Sequence, residues 1–317
     1  MHKTGYFTHP DCRRHDMGRG HPECPERLDA IEDRMLASRL LDVVERREAP
    51  LASPELLELA HDRMHVAAVR GLAQEVEEEE RAGGDGLVFI DPDTAMNRHS
   101  WNASLRAAGA ALAATDAVIA GELANAFCAV RPPGHHACRS RAMGFCIFNN
   151  VAVAARYALE HHGLNRVAVI DFDVHHGNGT EDILAGDDRV LMVGLFQHPF
   201  YPHSGSPPSA ANMVNLPVPA YTKGPAIREL ADKHWWPALE DFRPEMIFVS
   251  AGFDAHREDD LGQLGLVEAD YTWMTQRIRD IAQRHAQGRI VSCLEGGYNL
   301  DALGRSVEAH VRALADV

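Results

Sequence analysis

Short runs of β-branched and apolar residues recur along the second part of the chain, separated by longer stretches whose apolar positions return every three or four residues. The runs are AFCAV (126–130), RVAVIDF (166–172), RVLMVGLF (189–196), EMIFVSAGF (245–253) and RIVSCLEGG (289–297). Between them, VAVAARYALEHHG, the 227–239 stretch and VEADYTWMTQRIRDIAQRHAQG carry the helical period. Strand and helix in strict alternation predict parallel βαβ units. The runs are apolar throughout instead of alternating, which is what strands covered by helices on both faces require. The first third reads as more helical. Pro25 stands at a first-turn position before ERLDAIEDRMLAS, and Ser100 is placed to cap WNASLRAAGAALAATDAVIAG. The acidic run 77–80 before Gly83 and Gly84 reads as a solvated helix end. With no repeat, linker or low-complexity tract, residues 1–317 are expected to form one α/β domain.

The unusual polar residues gather immediately after these strands. RPPGHH (131–136), DFDVHHGNG (171–179), AGFD (251–254) and EGGY (295–298) each follow an apolar run. In an open parallel sheet, ligands bind at the carboxyl edge of the strands, so four separate segments would deliver reactive groups to one place. Asp173 and His175, two apart on leaving a strand, can reach one ion, and Asp254 closes the set from another strand. Two carboxylates and one imidazole leave a coordination position open, as catalytic zinc sites do. Fe(II) and Co(II) suit the same ligands, so the donors alone do not name the metal.

His135 and His136 would face the same edge. Asp171 can orient one imidazole through Nδ1, while Asn178 can hold the other without adding charge, giving two histidines of different pKa. Such a pair can take a proton from water and give one to a leaving group. Tyr298 follows Gly296 and Gly297, which let the chain turn sharply and bring a phenol donor towards the metal.

Composition narrows the partners. The formal charge is −15, with no Lys/Arg-rich stretch long enough for a basic footprint, which argues against a nucleic-acid partner and mildly favours cationic ones. Cysteines 12, 24, 128, 138, 146 and 293 show no CxxC pair and read as reduced thiols. No leader-like apolar segment or run of about 18 apolar residues is present, so no membrane association is expected and the cytoplasm is the expected compartment.

RPPGHHA, GFCIFNNVAVAARYA, DFDVHHGNGT, SAGFDAH, LEGGYNL and the earlier GHPECPERL resemble, in order and spacing, the zinc-dependent histone deacetylase family, nearest its class II and bacterial deacetylase-like branch. The match spans most of residues 20–305. The resemblance implies an arginase/deacetylase-type α/β fold, with a central parallel sheet of about eight strands flanked by helices. It implies that Asp173, His175 and Asp254 hold one Zn2+ per chain, that His135 and His136 are the tandem histidines with Asp171 and Asn178 as partners, and that Tyr298 polarises the carbonyl. It further implies a narrow tunnel for an acylated lysine at Gly144, Phe145 and Tyr201, with Gly296 and Gly297 beside it, and a structural K+ or Na+ near the 171–175 loop. Homo-oligomers occur in the family. The implied reaction is metal-assisted amide hydrolysis, with His136 favoured as base and His135 as its electrostatic partner.

Some positions depart from the wider family. Asn178 stands where some classes have Asp, Phe196 occupies a place often polar, and no carboxylate around 91–94 is assigned the substrate-gripping role. Acetylpolyamine hydrolysis shares every catalytic residue; Leu261, at the position resembling its acidic gatekeeper, favours acyl-lysine peptides or proteins, while Asp259 and Asp260 nearby, otherwise read as loop solvation, keep the polyamine alternative open. An arginase-like ureohydrolase would need two metals and further acidic ligands, and a non-catalytic acyl-lysine binder would be expected to have lost a ligand or the tyrosine. His61 and His65, four apart in HDRMH, lack the Glu of a zincin helix and read as structural or surface residues. His161, His162 and His285 read as partners of terminal helix carbonyls.

Overall fold

The structure, a computed structural model, describes residues 3–317. In chain order the elements are β1 (Thr4–Thr8), α1 (Asp11–Arg14), α2 (Glu26–Ala37), β2 (Glu45–Glu48), α3 (Pro54–Leu57), α4 (Arg63–Arg81), β3 (Val88–Asp91), β4 (Thr94–Met96), α5 (Ser100–Ile119), β5 (Asn125–Cys128), α6 (Asn150–Glu160), β6 (Val167–Asp171), α7 (Asn178–Leu184), β7 (Val190–Gln197), β8 (Met213–Val218), α8 (Gly224–Phe242), β9 (Met246–Ala251), α9 (Glu268–His285), β10 (Ile290–Leu294) and α10 (Leu300–Ala315). Eight strands form one sheet in the order β2-β1-β5-β10-β9-β6-β7-β8, and every neighbouring pair is parallel. β3 and β4 make a separate antiparallel hairpin.

The five strands expected from apolar runs are the five at the centre, and all their residues are buried. The strands that carried no such signal lie towards the edges. β2 reads ERRE and alternates between half-buried and exposed positions; its charges suit a rim strand that must not recruit a further chain. β8 contains Pro217, which an edge position tolerates because the outer side makes no ladder bond.

Helices cover the sheet in two groups. α5 packs with α6 and against β1, β5 and β10, while α2, α9 and α10 pack together and α8 joins them through α9. α5 is rich in alanine and almost wholly buried, so its backbone approaches its neighbours closely. A Cβ at Gly109 would stand 2.0 Å from the Pro50 carbonyl oxygen, so that approach depends on the glycine. The buried apolar residues form one cluster drawn from β1 through to α10.

Local expectations at four residues need correction. Ser100 is the first residue of α5, and its Oγ accepts the Asn97 N–H at 2.9 Å instead of capping from outside. His162 meets the Asp116 carboxylate at 2.7 Å and His285 meets Glu240 at 2.6 Å, because an exposed acid from a neighbouring segment outcompetes the carbonyls. His161 stacks on Tyr157, ring centroids 4.6 Å apart. No helix among the described residues is long and apolar enough to cross a membrane.

Candidate active site

β5 and β6 follow one another in sequence, yet β10 and β9 lie between them in the sheet. The chain leaves the sheet between these two strands and returns to fill the gap later, so the carboxyl ends of β5, β10, β9 and β6 enclose a crevice. Each end contributes one of the polar segments singled out above.

Asp173 follows β6 and Asp254 follows the adjacent β9. Asp173 Oδ1 and Asp254 Oδ2 each lie 3.1 Å from His175 Nδ1. Backbone donors hold the carboxylates in place: the His175 N–H donates to Asp173 Oδ1 and the Val174 N–H to Asp254 Oδ1, both at 2.9 Å. The Gly296 N–H donates to Asp173 Oδ2 at 2.9 Å, and a Cβ there would come 2.1 Å from Asp254 Oδ2. The donor set fits a divalent cation. One ligand atom from each residue lies within 4.8 Å of the other two, and two buried carboxylates face each other beside one imidazole. Burial and the neighbouring Asp173 push Asp254 up to about 7, as expected where one buried acid is held against another. Among the described residues this is the one group of three with metal-binding geometry.

The two histidines sit behind this set in contrasting surroundings. His135 Nδ1 is 3.0 Å from Asp171 Oδ2 and its Nε2 is 3.7 Å from Asp173 Oδ2. Burial opposes a charge on this ring, but the two aspartates outweigh it and hold the pKa well above the ordinary value. His136 Nδ1 lies 2.7 Å from Asn178 Oδ1, with no carboxylate bonded to it. Burial and the adjacent His135 and His175 keep it well below the ordinary value, so the two rings are pushed in opposite directions.

A cavity of about 260 Å³ opens over these groups. His136, His175 and Tyr298 lie on its wall with Gly144, Phe145, Tyr201 and Leu261, seven residues that the sequence brought into the site. Phe200, passed over in the sequence, also lines it and stacks on His175 with centroids 5.4 Å apart. Phe145 meets Tyr298 edge to face at 5.8 Å. Phe145 has φ +69°, a backbone region an aromatic residue seldom adopts, and its N–H is fixed by Thr94 Oγ1 at 2.9 Å. Asp93, left without a role above, reaches the rim from the β3–β4 turn, and Asp260 from the loop after β9. Gly296 and Gly297 are not on this wall: Gly296 backs the carboxylates and Gly297 offers its carbonyl to Arg27 Nε at 2.6 Å.

Buried polar residues outside the main motifs hold the segments in register. Glu295 accepts the N–H groups of Gly134 (2.6 Å) and His135 (3.1 Å) and the Ser250 hydroxyl (3.1 Å), tying the loops after β5 and β10 together. Arg27 donates to the carbonyls of Gly297 and Glu295 and lies 4.9 Å over the Tyr298 ring. Its charge meets Glu23, which also binds Arg131. The signal for Arg27 and Glu23 was their place in the GHPECPERL string. Asp259 is not solvating a loop: its carboxylate is buried and accepts N–H bonds from Tyr298 (2.6 Å), Asn299 (2.9 Å) and Leu261 (3.0 Å). Three backbone donors can hold a carboxylate inside where water would otherwise be needed.

His61 and His65 are buried and structural. His61 Nδ1 meets the Cys138 carbonyl at 2.9 Å while its Nε2 accepts the Asn149 N–H at 2.8 Å, and His65 Nε2 meets the Ile147 carbonyl at 3.0 Å. Both brace the loop that carries Gly144 and Phe145.

The histone deacetylase domain family matches residues 21–314, and the chain belongs to that family. Histone deacetylase 14, chloroplastic, of Arabidopsis thaliana is 37% identical over 93% of this chain and 73% of its own length. A histone deacetylase-like amidohydrolase of Pseudomonas aeruginosa is 39% identical over 88% and 73%, and a probable deacetylase of Archaeoglobus fulgidus 34% identical over 94% and 82%. The crystal structure of the HDA15 HD domain superposes with a TM-score of 0.90 at 31% identity, covering 100% of this chain and 90% of that one. The chain is a hydrolytic enzyme of the deacetylase type.

Proposed function

We propose that the chain hydrolyses the amide of an N-acyl-lysine, acetyl-lysine first, using one Zn2+ held by Asp173, His175 and Asp254. The observation that carries the reading is the meeting of that triad, the two unlike histidines and Tyr298 at the foot of one narrow, aromatic-walled cavity. A divalent cation held there supplies Lewis acidity, polarising a carbonyl and making nearby water easier to deprotonate.

The chain's own groups account for the rest. Phe145 and Phe200 enclose an alkyl chain and keep bulk water from its far end. His136, neutral, takes a proton from the attacking water. His135, cationic against Asp171 and Asp173, stabilises the negative charge that develops nearby. The Tyr298 hydroxyl, kept protonated by burial and by Asp254, donates to the carbonyl oxygen as it becomes an oxyanion. Collapse breaks the C–N bond, and the amine departs with the proton that His136 had taken. Gly296 and Gly297 act behind the site, bringing the tyrosine's loop against the carboxylates.

Removal of the metal with a chelator should abolish hydrolysis of an acetyl-lysine peptide, with Zn2+ restoring it. Undiminished turnover by metal-free protein would sink the assignment. Tyr298→Phe should lower kcat by about 10²–10³ with metal content unchanged. A second substrate class rests on the rim, where Asp93 and Asp260 could meet a second ammonium. Leu261 on the wall supplies no charge, which favours acyl-lysine over acetylated polyamines. Side-by-side kcat/KM values for an acetyl-lysine peptide and acetylated putrescine and spermidine decide between them; a higher value for the polyamine reverses the order.

A further inference from the structure

A carboxylate next to an imidazole can only accept, so it fixes which ring nitrogen bears the proton. An asparagine amide is ambiguous, because it can present either its oxygen or its NH2. Asn178 is the one partner of His136 Nδ1 among the described residues, so the state of the histidine depends on which way round this amide is held.

Two sulfur atoms hold it. Asn178 Nδ2 lies 3.4 Å from Cys138 Sγ and 3.4 Å from Met143 Sδ. A thioether has no proton and can only accept, so the amide end that faces Met143 must be the NH2 end. The Cys138 thiol donates to the His136 carbonyl at 3.6 Å, so towards the amide at 3.4 Å and the more distant Arg141 Nη2 at 4.0 Å its sulfur is the acceptor. Cys138 is buried, and burial with the nearby Asp182 raises its pKa, so the thiol keeps the proton this arrangement needs. The amide oxygen is left facing His136 Nδ1.

The geometry points to Cys138 and Met143 as positioning residues that lock the Asn178 amide, and through it keep the His136 proton on Nδ1 and leave Nε2 bare towards the cavity. The inference rests on the reading of His136 as the proton acceptor. It assigns the sulfur pair a task that an aspartate at position 178 would make unnecessary. Hydrogen bonds to sulfur are weak, but two acting on one NH2 group oppose a flip that would set the amide oxygen against sulfur lone pairs.

The test combines imidazole proton–nitrogen correlation spectra of the zinc-loaded protein, with His136 assigned by comparison with His136→Ala, and steady-state kinetics on an acetyl-lysine peptide. The wild type should show the His136 proton on Nδ1. Met143→Leu combined with Cys138→Ala should show a population protonated at Nε2, with kcat lowered about fivefold to tenfold and KM unchanged. Cys138→Ser, which keeps an acceptor, should behave as the wild type. Adding Asn178→Asp to the double variant should return the proton to Nδ1, because a carboxylate needs no clamp. If the double variant does not fold, Met143→Leu alone should show the same direction of change. A wild-type proton on Nε2, or a variant that keeps a single Nδ1–H form, overturns the clamp. A tautomer that moves while kcat does not would leave the clamp standing and remove His136 from the role of base.

Discussion

At the scale of single residues, the site is built from groups that work through their neighbours. Asp259 shows this most clearly, since its carboxylate faces three N–H donors and one of them belongs to Tyr298. Burial raises its pKa and the three donors oppose the rise, so it serves as a fixed acceptor for the turn that carries the phenol. Asp259→Asn keeps the shape but turns an NH2 group towards backbone N–H groups. It should lower kcat by about tenfold while the metal content per chain stays at the parent value, because the carboxylates of the candidate metal site are anchored elsewhere. Kinetics with metal analysis on the same preparation checks this; loss of metal would show that the turn also supports the ligands. Gly296 is the complementary case. The backbone there touches the carboxylates of the candidate metal site only because no side chain intervenes, so Gly296→Ala should lower the affinity for a divalent metal ion, read by competition with a chromophoric chelator.

At the scale of elements, the sheet centre follows from apolar runs and the rim from exclusion. β5, β6, β7, β9 and β10 were legible because parallel strands under two helical layers must be apolar on both faces. β2 and β8 were not, since an edge strand is under no such demand and β2 is charged throughout, while β1, buried between β2 and β5, is the short TGYFT segment with only two large apolar residues. α5 was recognisable as a helix, but the role of its glycine was not. Gly109 permits the 50–52 segment to lie on the helix, with its position next to Pro50 O leaving no room for a methyl group. Gly109→Ala improves helix propensity, yet should destabilise the protein by about 2–3 kcal/mol through overpacking, measured by urea denaturation. A neutral or stabilising result would mean that the segment can move aside without loss.

At the scale of the whole molecule, a buried ionic cluster ties the N-terminal third to the sheet. Glu23 bridges Arg27 and Arg131, and Arg131 also donates to the carbonyls of Cys12 and His15, both at 2.9 Å. Burial would raise the Glu23 pKa, but the two arginines hold it at about 2. A carboxyl more acidic in the folded than in the unfolded chain contributes stability that is complete above its ordinary value of 4.5 and disappears as the pH falls towards 2. A depression of that size is worth on the order of 3 kcal/mol. His15, buried and held down at about 4, acts in the same direction over a higher range. The folded chain resists its protonation, so stability falls as the pH drops from 6.5 towards 4. Glu23→Gln should therefore be less stable than the wild type at pH 7 and lose less on acidification from pH 4.5 to pH 3. Urea unfolding at the three pH values tests it, and parallel pH dependence in the two proteins would count against the cluster.

The sequence alone determined the class of fold, the places where reactive groups leave the strands, and the residue types gathered there. Those follow from local periodicity and short spacing, which a linear chain displays directly. The tertiary structure decided what depends on segments distant in sequence. It brought Asp254 from β9 beside Asp173 from β6, set Glu295 under the backbone of His135, and placed Arg27 over Tyr298 across some 270 positions of chain. It turned Asp259 inward, added Phe200 and Asp93 to the cavity, and gave the Asn178 amide its direction. The physical reason is that a side chain's partner, and with it its protonation and orientation, is fixed by which segments pack together, and residue spacing along one strand carries no record of that.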